Sequence, residues 1–238
     1  MQTVLFNDLG KINYQDAWNL QEQLFNAVVQ TKIKNRELTD ENKIPHQHHF
    51  LLCEHSPVIT LGKNADAENI LINEHFLKQH NIQKFNINRG GDVTFHGPGQ
   101  IVGYPILDLD YFFTDIGKYL RCIEEIIIRT LAAYDIKGER LPGVTGVWLD
   151  PQNKLKARKI CAIGIRCSRW VTMHGFAFNV NTDLNYFNYI IPCGINDKAV
   201  TSLQKELGRE TDIDEVKEII LQHFEEVFEC KFQNVAIH

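Results

Sequence analysis

The side chains able to carry nucleophilic or proton-transfer chemistry gather in three short segments that are also rich in glycine and proline. The first is Arg89-Gly90-Gly91-Asp92-Val93-Thr94-Phe95-His96-Gly97-Pro98-Gly99-Gln100, with four glycines, a proline and three strongly polar side chains in twelve positions. Glycine lets the backbone approach a ligand where a Cβ would collide, so Gly90-Gly91 and Gly97-Pro98-Gly99 can line a narrow slot with Arg89 and His96 at its polar end. Two tight turns flanking a strand would have the same composition. These residues alone leave both readings open. Neither G-x-x-x-x-G-K-[ST] nor G-x-G-x-x-G occurs here, which argues against a Walker loop or a dinucleotide fingerprint.

The second segment is Lys159-Ile160-Cys161-Ala162-Ile163-Gly164-Ile165-Arg166. Its apolar residues suit a strand buried on both faces, which would draw the stem of Lys159 inward; an amine held there sheds its proton more readily and can act as a base. The alternative is a solvated lysine in a basic hairpin. The third segment is Ile190-Ile191-Pro192-Cys193-Gly194-Ile195. Pro192 interrupts regular structure and Gly194 frees the backbone, so Cys193 lies on a turn where sulfur and neighbouring N–H groups can both face a ligand, an arrangement suited to acyl chemistry. Of the six cysteines (Cys53, Cys122, Cys161, Cys167, Cys193, Cys230) it is the best-placed candidate, because Cys122 falls in a helical pattern and Cys161 in an apolar strand.

Periodicity supplies the elements that must position these residues. Ala17, Leu20, Leu24, Phe25 and Val28 recur at three- and four-residue steps and predict a helix over 14–29. Ile116, Leu120, Ile123, Ile127 and Leu131 predict another over 115–134, with Thr114 as its cap, and residues 213–228 predict a closing amphipathic helix. Short strands are expected at 50–53, 58–61, 84–88 and 175–180, and a strand broken at Gly97-Pro98-Gly99 over 94–109. Residues 144–149 and 159–166 read as a hairpin around Asp150-Pro151-Gln152-Asn153. The polar stretch 32–49 reads as a long surface loop, and its His46, His48 and His49 lack a carboxylate or cysteine at ligand spacing, so no metal is assigned. Strands and helices mix without regular βαβ alternation, which favours an α+β chain with a mixed sheet flanked by helices over a Rossmann fold.

At 238 residues, 44% hydrophobic and 23% charged, the composition is that of a soluble globular protein and excludes disorder, collagen-like repeats and coiled coil. One domain over 1–238 is the default expectation. A net charge of -5 argues against a surface shaped for nucleic acid. There is no apolar run of membrane-spanning length, and the first residues lack the order of a signal peptide, so no membrane association and a cytoplasmic location are expected. The cysteines form no C-x-x-C pair and suit reduced thiols. Between 154 and 169 the chain carries Lys154, Lys156, Arg158, Lys159, Arg166 and Arg169 without an acid, either a solvated hairpin or a basic rim.

Taken together the three segments resemble the octanoyltransferase family of protein lipoylation, the lipoyl(octanoyl) transferases. The likeness runs through Glu54-His55-Ser56-Pro57-Val58 with Gly62, the 89–100 string, Thr145-Gly146-Val147-Trp148, Lys159-Ile160, His174-Gly175-Phe176-Ala177-Phe178-Asn179-Val180, Pro192-Cys193-Gly194 and Val200-Thr201-Ser202-Leu203. The main departure is the 32–49 loop, longer than is typical. The resemblance implies a fold similar to the catalytic domains of biotin protein ligase and lipoate-protein ligase. It implies transfer of an octanoyl (or lipoyl) group from acyl carrier protein to a specific lysine of the lipoyl domains of 2-oxoacid dehydrogenase E2 subunits or of glycine-cleavage H protein, with no cofactor.

By position, the resemblance makes Cys193 the nucleophile that holds an acyl thioester and Lys159 the residue that favours its thiolate. Arg89, Gly90, Gly91, Asp92, Val93, Thr94, Phe95 and His96, with Ala162, Ile163 and Gly164 and with Gly175, Phe176 and Ala177, would line the acyl pocket. Donors for the oxyanion are sought among N–H groups around Gly194 and the His96 side chain. The rivals are an ATP-dependent lipoate-protein ligase, against which H-G-P-G-Q and P-C-G speak, and a non-catalytic carrier-binding protein, against which the joint presence of Cys193 and Lys159 speaks.

Overall fold

The computed structural model describes residues 1–191 and 199–234. The chain opens with strand β1 (Gln2–Ile12) and helix α1 (Tyr14–Asn35). It continues through β2 (His48–His55), β3 (Val58–Leu61), helix α2 (Glu74–Gln79), β4 (Gln83–Asn86), β5 (Val93–His96), β6 (Gln100–Ile106) and helix α3 (Ile116–Ala132). Strands β7 (Glu139–Leu141), β8 (Val144–Leu149), β9 (Arg158–Ser168) and β10 (Val171–Asn179) follow. Last come β11 (Ala199–Val200), helices α4 (Leu203–Leu207) and α5 (Ile213–Phe228), and β12 (Cys230–Asn234).

The large sheet has the order β12-β1-β2-β6-β10-β9-β8-β7, with β11 added alongside β9, and β4-β3-β5 make a second, small sheet. In the large sheet β1 is parallel to both its neighbours and the remaining pairs along that order are antiparallel. This is the mixed sheet flanked by helices that the pattern predicts. Helix α1 packs on β10, β6 and β2, whereas α3 and α5 pack together on the other face over β8, β10 and β12. Covered on both faces, β2 and β6 are buried along their whole length. A separate apolar cluster of Ile59, Leu61, Leu77, Val93 and Phe95 fills the space behind the small sheet.

Helix α1 continues six residues past the predicted end. Its buried positions are Tyr14, Ala17, Gln21, Phe25, Val28, Lys32 and Asn35, an unbroken stripe at three- and four-residue steps whose polar members hide the pattern from a hydrophobicity reading. Each of these polar members has a partner. Lys32 Nζ lies 2.6 Å from the fully buried Asp108, Asn35 Nδ2 donates to Ile44 O, and Gln21 Oε1 accepts the His174 N–H. The expected 32–49 loop is therefore shorter: 32–35 is helix and His48 and His49 open β2. His48 Nδ1 accepts the Asp108 N–H, and His46 lies against the same carboxylate. Helix α3 is capped by Asp115, whose side chain accepts the Lys118 N–H, and not by Thr114. Strand β1 has no clean alternation and escapes a period-2 search; it forms because β2 and β12 offer it partners on both edges.

Candidate active site

A cavity of about 370 Å³ opens between the two sheets, within the usual range for small-molecule sites. Its walls come from the 89–92 loop and β5, from Val102 and Tyr104 of β6, from the start of β8, from Lys159 and residues 162–165 of β9, and from residues 174–177 of β10. Tyr14 of α1 and Leu120 of α3 complete it. The structure thus brings together Arg89, Gly90, Gly91, Asp92, Val93, Thr94, His96, Lys159, Ala162, Ile163, Gly164, Gly175, Phe176 and Ala177. Phe95 does not join them. Its ring belongs to the apolar cluster behind the small sheet and stacks on Tyr186 at 4.5 Å. Cys193 lies outside the described residues.

The 89–92 loop is moored backbone to backbone. Gly90 N–H donates to Ile165 O at 2.8 Å, and a Cβ at Gly164 would stand 2.8 Å from Gly90 O, so this crossing requires glycine. Arg89 is buried and its guanidinium donates to Thr60 O, Thr60 Oγ1, Asp92 O and Gly90 O at 2.8–3.0 Å. Asp92 accepts from Val93 N–H and from Asn69 Nδ2. Of the two glycine stretches expected to line a slot, Gly90-Gly91 lies in the cavity wall, whereas Gly97, Pro98 and Gly99 are not among its lining residues.

Lys159 is buried, which removes the solvated-hairpin alternative. Its Nζ lies 4.7 Å from the Trp148 ring centroid, a cation–π distance. Beyond the point where the β9–β10 pairing ends at Cys161, Ala199 and Val200 pair with Arg158 and Lys159. On the other side of the 192–198 segment, Ile191 N–H donates to Asn69 O.

One chain of hydrogen bonds links the first segment to this strand. Gln100 Nε2 donates to Phe95 O and to Asn179 Oδ1, so Gln100 Oε1 is an acceptor and the 2.8 Å contact assigns the proton to His96 Nδ1. Asn179 Nδ2 donates to Thr201 O, and Thr201 N–H to Lys159 O. Burial pushes the His96 imidazole down to about 3, with His55 and Arg89 adding to the shift. At neutral pH His96 is neutral and its remaining nitrogen, Nε2, is an acceptor. His174 is likewise pushed down to about 3, chiefly by burial, and has the positive φ of 60° uncommon for a residue with a side chain. His174, Tyr14, Tyr104, Gly143, Val144 and Thr145 line the cavity without having been singled out for it; His174 and Thr145 sit inside quoted motifs, but nothing in the spacing marks Tyr14 or Tyr104.

The five described cysteines are all free, and burial raises every one of their thiols: Cys53 and Cys161 steeply, Cys230 to about 12, Cys122 and Cys167 less. None of these five is an activated nucleophile.

The basic window divides on folding. Arg158 is held by Glu206 and Asp150, and Arg166 by Glu22. Lys154 and Lys156 are exposed on the β8–β9 turn, whereas Arg169 is exposed at the far end of the eleven-residue β9, roughly 35 Å away at strand rise. The six charges are not one patch.

Comparison with known proteins agrees with this architecture. An octanoyltransferase of Christiangramia forsetii is 58% identical over 227 residues, covering 95% of this chain and 96% of that protein. An octanoyltransferase of Cytophaga hutchinsonii is 52% identical over 235 residues, covering 99% and 96%. In fold, the chain is similar to a lipoate-protein ligase A bound with ATP (TM-score 0.68, 16% identity, covering all of this chain and 89% of that one). It is also similar to an Aquifex aeolicus biotin protein ligase in complex with biotin and ATP (TM-score 0.53, 13% identity, 96% and 71%). The family model described as the lipoyl protein ligase A/B catalytic domain matches residues 13–225, and with relatives of this identity along nearly the whole chain, the protein belongs to that family as an acyltransferase of its octanoyltransferase group.

Proposed function

We propose that this chain, acting as one catalytic domain in the cytoplasm, moves an octanoyl (or lipoyl) group from acyl carrier protein to a lysine of E2 lipoyl domains or glycine-cleavage H protein through a thioester on Cys193. The Cys193 thiolate attacks the donor's thioester carbonyl, and collapse of the tetrahedral adduct expels the carrier thiolate. The neutral amine of the acceptor lysine then attacks the acyl-enzyme, Lys159 takes its proton, and the Cys193 thiolate leaves. Thioester exchange is nearly isoenergetic and needs no nucleotide.

The observation that carries this reading is the buried Lys159 in the wall of a cavity built from the other motif segments. The raised thiols of the five described cysteines add to it by elimination. His96, neutral with its proton on Nδ1, offers the cavity a lone pair and no hydrogen, so oxyanion stabilisation falls to other donors. Purified protein mixed with octanoyl-acyl carrier protein and apo lipoyl domain, without ATP or magnesium, is expected to yield octanoylated domain. Product formed only when ATP is supplied would replace this reading with that of a ligase.

A further inference from the structure

We propose that Glu124 is a positioning residue for Lys159: its carboxylate fixes the β8 backbone against which the lysine side chain rests. This rests on the role given to Lys159 above.

Glu124 lies on α3 among Ile123, Ile126 and Ile127 and is completely buried. A carboxylate in such a place is expensive unless paired, and this one is paired three ways. Oε2 is ion-paired with Arg121 Nη1 at 2.7 Å and accepts from Arg140 Nε at 3.0 Å, and Oε1 accepts the Gly146 N–H at 3.0 Å. Arg140 is itself opposite Val147 in the β7–β8 pair, so the one carboxylate ties α3, β7 and β8 together.

Gly146 stands against Lys159. It has φ 125°, a conformation that residues with a Cβ rarely adopt, and an added Cβ would lie 2.7 Å from Cys161 O and 3.4 Å from Lys159 Cε. The β8–β9 register shifts between Val147 and Trp148, the residues that follow. At this irregularity the Gly146 N–H goes to Glu124. Two residues along, Trp148 is the direct cross-strand partner of Lys159 and carries the ring 4.7 Å from its Nζ. Gly146 and Trp148 together form a floor beneath the lysine stem and head, and Glu124 pins one end of that floor. Thr145, next to the pinned residue, lines the cavity with Lys159.

The test is a double-mutant cycle in single-turnover octanoyl transfer, using Glu124→Ala, Glu124→Gln, Lys159→Ala and the combinations. Glu124→Ala is expected to lower kcat by about ten- to a hundredfold, the scale of a misplaced catalytic group, with KM nearly unchanged. In the Lys159→Ala background the same substitution is expected to cost nothing further. The pH profile of Cys193 alkylation should move toward that of Lys159→Ala. Glu124→Gln, which keeps an acceptor for Gly146 but loses the charge that holds both arginines, should fall between; it carries the same cycle if the alanine variant does not fold. Equal losses in both backgrounds, or an unmoved alkylation profile, would overturn the positioning role. If Lys159→Ala alone leaves turnover intact, the role of Lys159 fails, and that result is read without any Glu124 variant.

Discussion

Arg89 and Lys159 are both buried cations in the walls of the same cavity, both in motif segments, and the structure uses them differently. The Arg89 fork is directed at backbone carbonyls and a threonine, so it braces the 89–92 loop to β3. Lys159 stands over Trp148 and beside Gly146 and lines the cavity. A guanidinium presents five donors in a fixed fork and suits bracing; an ammonium on a flexible stem exchanges a proton and suits chemistry. Two residues with the same formal charge in one site therefore need not share a job.

The sharpest way to break this contrast is to remove each cation. Lys159→Ala should fold normally and lower turnover by about 10²- to 10⁴-fold, the range for loss of a proton-transfer group. Cys193→Ala should abolish the octanoyl adduct seen by intact mass. Arg89→Ala should instead unfold more easily, because Thr60 O and Asp92 O lose their donor inside the protein. A loss of about 2–4 kcal/mol corresponds to a melting temperature lower by roughly 5–10 °C. Arg89→Lys should rescue little of it, since one ammonium cannot reproduce the fork. A Lys159→Ala protein that melts like Arg89→Ala would erase the distinction.

The buried histidines make a pH prediction. His96 and His174 are pushed down to about 3 and His48 and His55 to about 4, in each case chiefly by burial. Between these values and the unfolded value near 6.5, the unfolded chain binds more protons than the folded one. Stability therefore rises with pH through this window and is lost as pH falls below about 6.5, each group contributing up to about 1.4 kcal/mol per pH unit. Urea unfolding between pH 7 and 5, above the range where carboxylates titrate, should show this slope. His55→Gln should reduce it by the share of one group.

The smallest effect is expected at the rim. Lys154→Glu with Lys156→Glu should lower kcat/KM for octanoyl-acyl carrier protein severalfold in a salt-sensitive way and spare a neutral octanoyl-pantetheine thioester. Arg169→Glu should change neither, because it lies at the other end of β9. Arg158→Glu should destabilise the fold by breaking the contact with Glu206, and is no test of docking. Equal losses on both substrates would place the lysines in support of the cavity.

The glycine and proline motifs, the core helices and most central strands were legible in the sequence, because backbone freedom and apolar periodicity are properties of neighbouring residues. The limits of that reading are physical as well. The end of α1 was hidden because Lys32 occupies a buried position only by virtue of Asp108, 76 residues away, and Asn35 only by bonding back to Ile44 beyond the helix end. Phe95 was grouped with its neighbours because a motif string does not say which face of a strand each member takes.

What the sequence determined by itself is which residues have unusual chemistry and where glycine and proline cluster: the 89–100 string, Lys159, and the cysteine between Pro192 and Gly194. What only the tertiary structure decided is the state of each group. Lys159 is buried, Arg158 is neutralised by a glutamate 48 residues away, His96 has its proton on Nδ1, and Glu124 reaches Gly146 across 22 residues. The physical reason is that charge, protonation and hydrogen-bond direction depend on dielectric and partner. Those are set by segments that meet only when the sheets close.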